Sequence, residues 1–478
     1  MQYLSKTKRR NRGVAPLNLT CQPFQRISQP LVRARYASVS TWQLYRRYAA
    51  ALPRQVLFSP QIGSMLSKRE FSGALMNPAD RLPIEPVAVH RRSQEIAAGP
   101  DAEGLMRQRM VNRAAGELRR GTPVLLCGAM PLVLLPAETA GARGLAEFAA
   151  MAAGPTLLLL APARAAAVLR RPAVGDDVVA LRTAPALMSS EMLLGIADPT
   201  APQMLREPPQ LAPDCPALAP AALALAKLAR LLPAVLAAPV SVGAGYTDAL
   251  VRAEALGLIA VSAEAVLDHP MESALALRRV AAVPVPLDGA PDARIVAFRA
   301  PDTGIEHMAI LIGRPEDAAA RGDAPLVRVH SECFTGDLLG SLRCDCGPQL
   351  RGAIARMAAE GSGVLLYLAQ EGRGIGLMNK LRAYTMQDRG LDTVDANRAL
   401  GWGADERNFL VAATMLRELG IDAVRLLTNN PEKVAALQHC GLRSVAREPH
   451  EFAPNGVNDH YLATKARRFG HLLDLPVR

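Results

Sequence analysis

The stretch "PQLRGAIARMAAEGSGVLLYLA", residues 348–369, reads as a helix closed by Gly361 and followed at once by a buried strand. The same alternation surrounds it. "RIVAFRA" (294–300) and "EHMAILIG" (306–313) read as strands before it. After it, "DERNFLVAATMLRELG" (405–420) keeps apolar residues at helical spacing up to Gly420, and "AVRLLT" (423–428) reads as a strand. "NNPEKVAALQHCG" (429–441) then places Asn430 as N-cap, Pro431 at the first helical position and Gly441 past the end. Helices alternating with strands predict an α/β domain, a mixed sheet with helices packed against it.

Outward from this block, a chain of 478 residues suggests two or three domains at roughly 100–200 residues each. Three blocks are expected: a Pro- and Arg-punctuated leader over 1–105, an Ala/Leu/Val-rich block over 106–282, and the alternating block over 283–478, entered through "VPVPLDGAPDA" (283–293). In the middle block "LMRQRMVNRAAGELRRG" (105–121) predicts an amphipathic helix ending at Gly121, and "TPVLLCG" (122–128) a buried strand. No window approaches 18 uninterrupted apolar residues, so no membrane-spanning helix is expected.

The formal charge of +11 is uneven, because 13 of the 55 Lys and Arg precede Glu70, the first acidic residue. The remaining 42 basic side chains face 44 acidic ones. The folded part is therefore close to neutral, and nucleic acid is not an expected partner outside the leader. The Arg-rich leader resembles a transit peptide, could be a basic arm, or could reflect a true start at Met65 or Met76. It lacks the apolar core of a secretory signal, and the expected location is cytoplasmic.

Seven cysteines at scattered positions do not form a disulfide framework. Cys333, Cys344 and Cys346, however, fall together in "RVHSECFTGDLLGSLRCDCGPQL" (328–350) as C-x10-C-x-C. Two thiolates in a C-x-C pair cannot share one face of a helix, so Cys344 and Cys346 must lie on a turn or strand end, with Asp345 pointing elsewhere. Three soft thiolates suit zinc: a catalytic site with a fourth position open to water, a structural site completed by His330, or unligated thiols. Cys21, Cys127, Cys215 and Cys440 read as ordinary small hydrophobes.

Two further segments could hold phosphate. "YLAQEGRGIGLMNKLRAY" (367–384) places Glu371, Gly372, Arg373, Gly374 and Gly376 directly after a strand, where backbone N–H groups and a guanidinium can meet an anion, although a tight turn would explain it equally. "LLTNNPEK" (426–433) puts Thr428 and Lys433 at a strand end feeding a helix N-terminus. "GADERNF" (403–409) carries Asp405, Glu406 and Arg407 at a helix start, where Asp405 could serve only as a cap. A thiolate cluster and two candidate phosphate sites within about a hundred residues suggest metal-assisted hydrolysis of a phosphorylated substrate.

Taken with "QEGRGIGLMNKLRAYTMQDRGLDTVDAN" (370–397) and "GWGADERNF" (401–409), these segments resemble the GTP cyclohydrolase II family in order and spacing over roughly residues 285–475. The resemblance implies zinc- and magnesium-dependent opening of the GTP imidazole ring, with release of formate and pyrophosphate, the first step of riboflavin biosynthesis, in a homodimer. It implies zinc on Cys333, Cys344 and Cys346, and a GTP site formed by Arg328, Val329, His330, Ser331, Glu332, Gln349, Glu371, Gly372, Arg373, Thr393, Thr428 and Lys433. It further implies Asp405 as proton acceptor, Arg407 acting at the α-phosphate either as nucleophile or by stabilising charge, and Tyr384 near the opened ring. Ala369 departs from the arginine expected before Gln370. A paralogue opening another nucleotide, or a silent GTP-binding regulator, are the competing expectations.

The middle block resembles a 3,4-dihydroxy-2-butanone 4-phosphate synthase domain at "AAGELRRGTPVLL" (114–126) and "GYTDALVRAEALGLIAVSAE" (245–264). That chemistry needs an acidic cluster after the first strand, and "CGAMPLVLLPAETA" (127–140) offers only Glu138, while Tyr246 replaces an expected histidine. The resemblance therefore implies a retained fold without the activity.

Overall fold

A computed structural model describes residues 101–172, 178–184, 188–202, 205, 207–240, 246–301 and 303–473. The leader, with Cys21, Met65 and Met76, and the side chain of Tyr246 lie outside the described residues.

Two sheets carry the architecture. The first holds β1 (Val124–Cys127), β2 (Leu132–Pro136), β3 (Leu157–Leu160), β4 (Val179–Arg182), β5 (Ala234–Pro239) and β6 (Ile259–Ser262) in the order β4-β3-β5-β2-β1-β6. Its central strands are near-continuous Leu, Val and Ala because both faces are buried. On one face Leu126, Leu134 and Leu159 pack with Val111, Leu118, Leu225 and Val266 from the helices Asp101–Arg119, Ala219–Leu228 and Ala263–Leu275. On the other, Leu125, Val133 and Leu158 pack with Phe148, Met151 and Leu193, and the same cluster takes in Ile375, Ala383, Ala396 and Trp402 from the C-terminal third. The two halves of the chain therefore share a core.

The second sheet holds β7 (Arg278–Pro284), β8 (Arg294–Arg299), β9 (Glu306–Ile312), β10 (Leu326–Ser331), β11 (Gly363–Leu368), β12 (Ala423–Leu427) and β13 (Ser444–Glu448) in the order β13-β12-β10-β11-β9-β8-β7. Strands β10 to β13 are mutually parallel and β7 to β9 form an antiparallel meander, the mixed sheet expected from the sequence. The expected entry at 283 falls inside β7, whose edge begins at Arg278. The helix Cys346–Glu360 ends at Gly361 in the left-handed conformation (φ +73°), and Asn430 caps the helix Pro431–His439 by accepting from the Glu432 N–H. Among the described residues no helix is long and apolar enough to cross a membrane.

Buried histidines tie this fold to pH. His307 on β9 is 6% exposed and its Nδ1 accepts the Ala369 N–H at 3.0 Å, which requires the neutral ring. Burial pushes its pKa down to about 4, and does the same to His450. An unfolded histidine titrates near 6.5, so the stabilisation is complete above that pH and is lost as pH falls toward 4. Each ring then contributes a loss of about 2 kcal/mol by pH 5. Urea midpoints are expected to fall between pH 7 and pH 5, and His307→Asn, which keeps an acceptor but cannot titrate, should make that fall shallower while His450 still contributes its part.

Candidate active site

Parallel strands β10, β11 and β12 end along one edge of the sheet, where open α/β sheets gather ligand-binding groups. From β10 the chain passes through Glu332 into Cys333 and one wide π turn, Phe334–Leu338. Cys344 lies in the following turn and Cys346 opens the helix Cys346–Glu360, so the pair straddles a helix start as its spacing requires. The three Sγ atoms lie within 4.8 Å of one another, with Cys333 and Cys344 at 3.8 Å. Tetrahedral ligands at about 2.3 Å from zinc stand about 3.8 Å apart, so the triangle fits that ion. Hydrogen bonds from Cys344 and Cys346 drive Cys333 far below the usual thiol range, while Cys344, donating to it, rises to about 11.

Gly336 makes this approach possible. A Cβ there would sit 2.7 Å from Cys344 Sγ and 3.0 Å from Cys333 Sγ, and the Gly336 N–H donates to Cys333 Sγ at 3.3 Å. Gly336→Ala is expected to lower bound metal severalfold by elemental analysis, with the far-UV circular dichroism unchanged.

His330, the candidate fourth ligand, belongs elsewhere. Its Nε2 lies 3.1 Å from both Asp337 oxygens and its ring stacks on Tyr367 at 5.7 Å. Asp337 also accepts the Cys333 N–H and the Tyr367 hydroxyl, each at 3.0 Å, so the pair fixes the turn that presents Cys333. Asp345 does point away from the sulfurs: Lys465 reaches it at 2.5 Å and Gln349 at 2.6 Å.

The thiolates line an open cleft together with, among others, Val329, Ser331, Gly372, Thr393 and Tyr384. β11 leads into Glu371, whose carboxylate accepts from Phe334 N–H at 2.7 Å and from Lys380 Nζ at 2.9 Å. Gly372 and Arg373 then take left-handed conformations (φ +62° and +64°), which sets Arg373 over the Phe469 ring and 3.9 Å from Asp405. For a non-glycine residue this backbone is unfavourable, and it appears where a side chain must be aimed. Glu332 accepts the Glu371 N–H at 3.3 Å, and burial raises its pKa.

The same cleft is also lined by cations. Arg328 is buried, donates to Leu427 O at 2.8 Å and bonds Gln349, and burial lowers its pKa to about 10. Lys433, 8% exposed, donates to Val329 O at 3.1 Å and is pushed well down by burial and then by Arg407 and Arg328. Thr428 accepts the Asn430 N–H, and Thr393 starts the helix Thr393–Ala399. Arg328, Lys433 and Arg407, all desolvated by burial in the same cleft, suit a polyanion. Arg407 lines the cleft and Asp405 stands behind it, accepting from Arg407 Nε at 2.8 Å and from its Nη2. Burial would raise the Asp405 pKa, but Arg407 overrides it and holds the carboxyl below its ordinary range.

Lys380 was not singled out in the sequence, yet its Nζ reaches Cys333 Sγ at 3.0 Å and Thr335 Oγ1 at 2.9 Å. Its spacing of four from Tyr384, on one helix, was the available signal. Tyr384 itself meets Thr335 Oγ1 at 3.3 Å.

A metal-competent thiolate cluster sharing one cleft with buried cations, at the carboxyl ends of a mixed sheet, fits a hydrolytic class of nucleotide-phosphate site. The model of the family "GTP cyclohydrolase II" matches residues 278–449. The GTP cyclohydrolase-2 of Azospirillum brasilense is 57% identical over 246 residues, which span 52% of this chain and 62% of that protein. The GTP cyclohydrolase-2 of Yersinia pseudotuberculosis serotype I is 52% identical over 198 residues, 41% of this chain and 98% of that protein. The chain belongs to the GTP cyclohydrolase II family. Among solved structures, RibBX, a two-domain 3,4-dihydroxy-2-butanone 4-phosphate synthase from A. baumannii, aligns over 71% of this chain and 99% of its own at 17% identity and a TM-score of 0.29.

Proposed function

We propose that this protein hydrolyses GTP to 2,5-diamino-6-(5-phosphoribosylamino)pyrimidin-4(3H)-one, formate and pyrophosphate, the first step of riboflavin biosynthesis. The observation that carries this reading is the placement of the 3.8 Å sulfur pair and its third thiol in the same cleft as Arg328, Arg407 and Lys433. Cys333, Cys344 and Cys346 would hold zinc, which supplies Lewis acidity and activates water for hydrolysis. Arg328, Arg373 and Lys433 bind the triphosphate, accompanied by magnesium. Arg407 stabilises charge at the α-phosphate, a role that suits a guanidinium better than nucleophilic attack does, given its high pKa. Asp405 orients Arg407 through their paired bonds, and accepts a proton only when substrate loosens that pair. Tyr384 and Glu332 face the ring end.

The preceding block is read as a degenerate synthase domain. Glu138, its remaining acid, accepts from Leu232 N–H at 2.7 Å and from Arg382 Nη2 at 2.8 Å, so its carboxylate is committed to a structural bridge. Exposed Leu338, Leu339 and Leu342 beside the cluster support the homodimer. Zinc-loaded protein with GTP and magnesium should release formate and pyrophosphate in equal amounts. Inorganic phosphate as the sole product would reject the reading.

A further inference from the structure

The helix Ala219–Leu228 is built of buried Ala and Leu, and its one charged residue, Lys227, sits in the last turn facing the C-terminal third. Lys227 Nζ bonds Glu406 Oε1 at 2.5 Å and lies 5.6 Å over the Trp402 ring. Glu406 stands between Asp405 and Arg407 and closes the loop on itself, since the same Oε1 accepts the Gly403 N–H at 2.7 Å. Its own N–H donates to Arg373 O at 3.0 Å, and a Cβ on Gly374 would come within 2.8 Å of Glu406 O. One residue thus locks the loop carrying the Asp405–Arg407 pair to the glycine-rich turn carrying Arg373.

Other contacts from the same domain flank this one. Arg230, left-handed at φ +57°, lays its stem along Gly376, donates to Ala369 O at 3.0 Å and accepts at its own carbonyl from Asn379 Nδ2 at 3.1 Å. An arginine from the first domain therefore lies against the position where this chain has Ala369. Asn408, directly after Arg407, donates to Pro270 O at 2.7 Å, while Gln370 donates to Asn408 O at 3.1 Å. Behind them, Arg382 joins Asp198 and Glu138, each at 2.8 Å.

We propose that Lys227, supplied by the synthase-like domain, is a positioning residue for the Asp405–Arg407 pair, acting through Glu406 to hold the 403–408 loop against the glycine-rich turn. The domain that lacks the synthase acids thus serves the neighbouring site in cis. This inference rests on the proposed GTP-opening activity.

The test pairs Lys227→Met, which keeps the stem and removes the charge, with Glu406→Gln, their double variant and Lys227→Arg, all in the full chain. Lys227→Met is expected to lower kcat for formate release about tenfold. KM for GTP should stay within about twofold, with zinc content and thermal midpoint retained. The double variant should be no slower than the slower single one, because both remove one interaction, and Lys227→Arg should restore most of kcat. Backbone amide exchange over 403–408 should quicken in Lys227→Met. Unchanged kcat, effects that multiply in the double variant, or unchanged exchange at 403–408 would each overturn the proposal. A wild type that releases no formate would instead reject the functional reading, and the exchange comparison would still decide this one.

Discussion

Cys344→Ser is expected to remove bound metal and turnover together. A serine hydroxyl stays protonated near neutral pH and is a poor partner for zinc, and the two remaining thiols leave the ion without the third sulfur that the 3.8 Å spacing provides. Turnover should fall by at least about a thousandfold, the scale expected when the metal that activates water is lost. The folded state should survive, because Asp337 fixes the Cys333 turn and Lys465 fixes Asp345 without help from the sulfurs. Cys440→Ser is the matched control: Cys440 is buried at the end of the helix Pro431–His439, among the apolar residues of the second sheet's core, and its loss should leave zinc content intact. Elemental analysis and formate release, measured on both variants, check the prediction. A Cys344→Ser protein that keeps full metal would sink it.

Arg407→Lys is expected to lower kcat about a hundredfold while leaving zinc in place. Lysine keeps the charge but cannot reproduce the paired bonds to Asp405, so the cation loses its fixed aim into the cleft. If Arg407 stabilises charge, residual turnover still yields formate and pyrophosphate in equal amounts. Turnover abolished in Arg407→Lys, with folding and zinc unchanged, would instead favour a covalent role for the guanidinium.

The alternating block was legible because its elements are punctuated locally. Gly361 and Gly441 end helices, Asn430 caps one, and the strands between them are unbroken apolar runs. The thiolate cluster was equally legible, since a C-x-C pair has few places to sit. His330 illustrates the limit: sequence proximity made it a candidate ligand, and only the fold shows Asp337 and Tyr367 engaging it. Lys465 meets Asp345 across 120 residues and Lys227 meets Glu406 across 179, separations at which no periodicity or cap announces a partner. The shared core that seats Trp402 beneath the first sheet was hidden for the same reason.

The most direct test of the account follows GTP carrying carbon-13 at C8 by NMR, with zinc-loaded protein and magnesium. The label is expected to leave the ring and appear as formate while pyrophosphate accumulates one for one. Label retained in an intact guanine ring while GTP is consumed would contradict it.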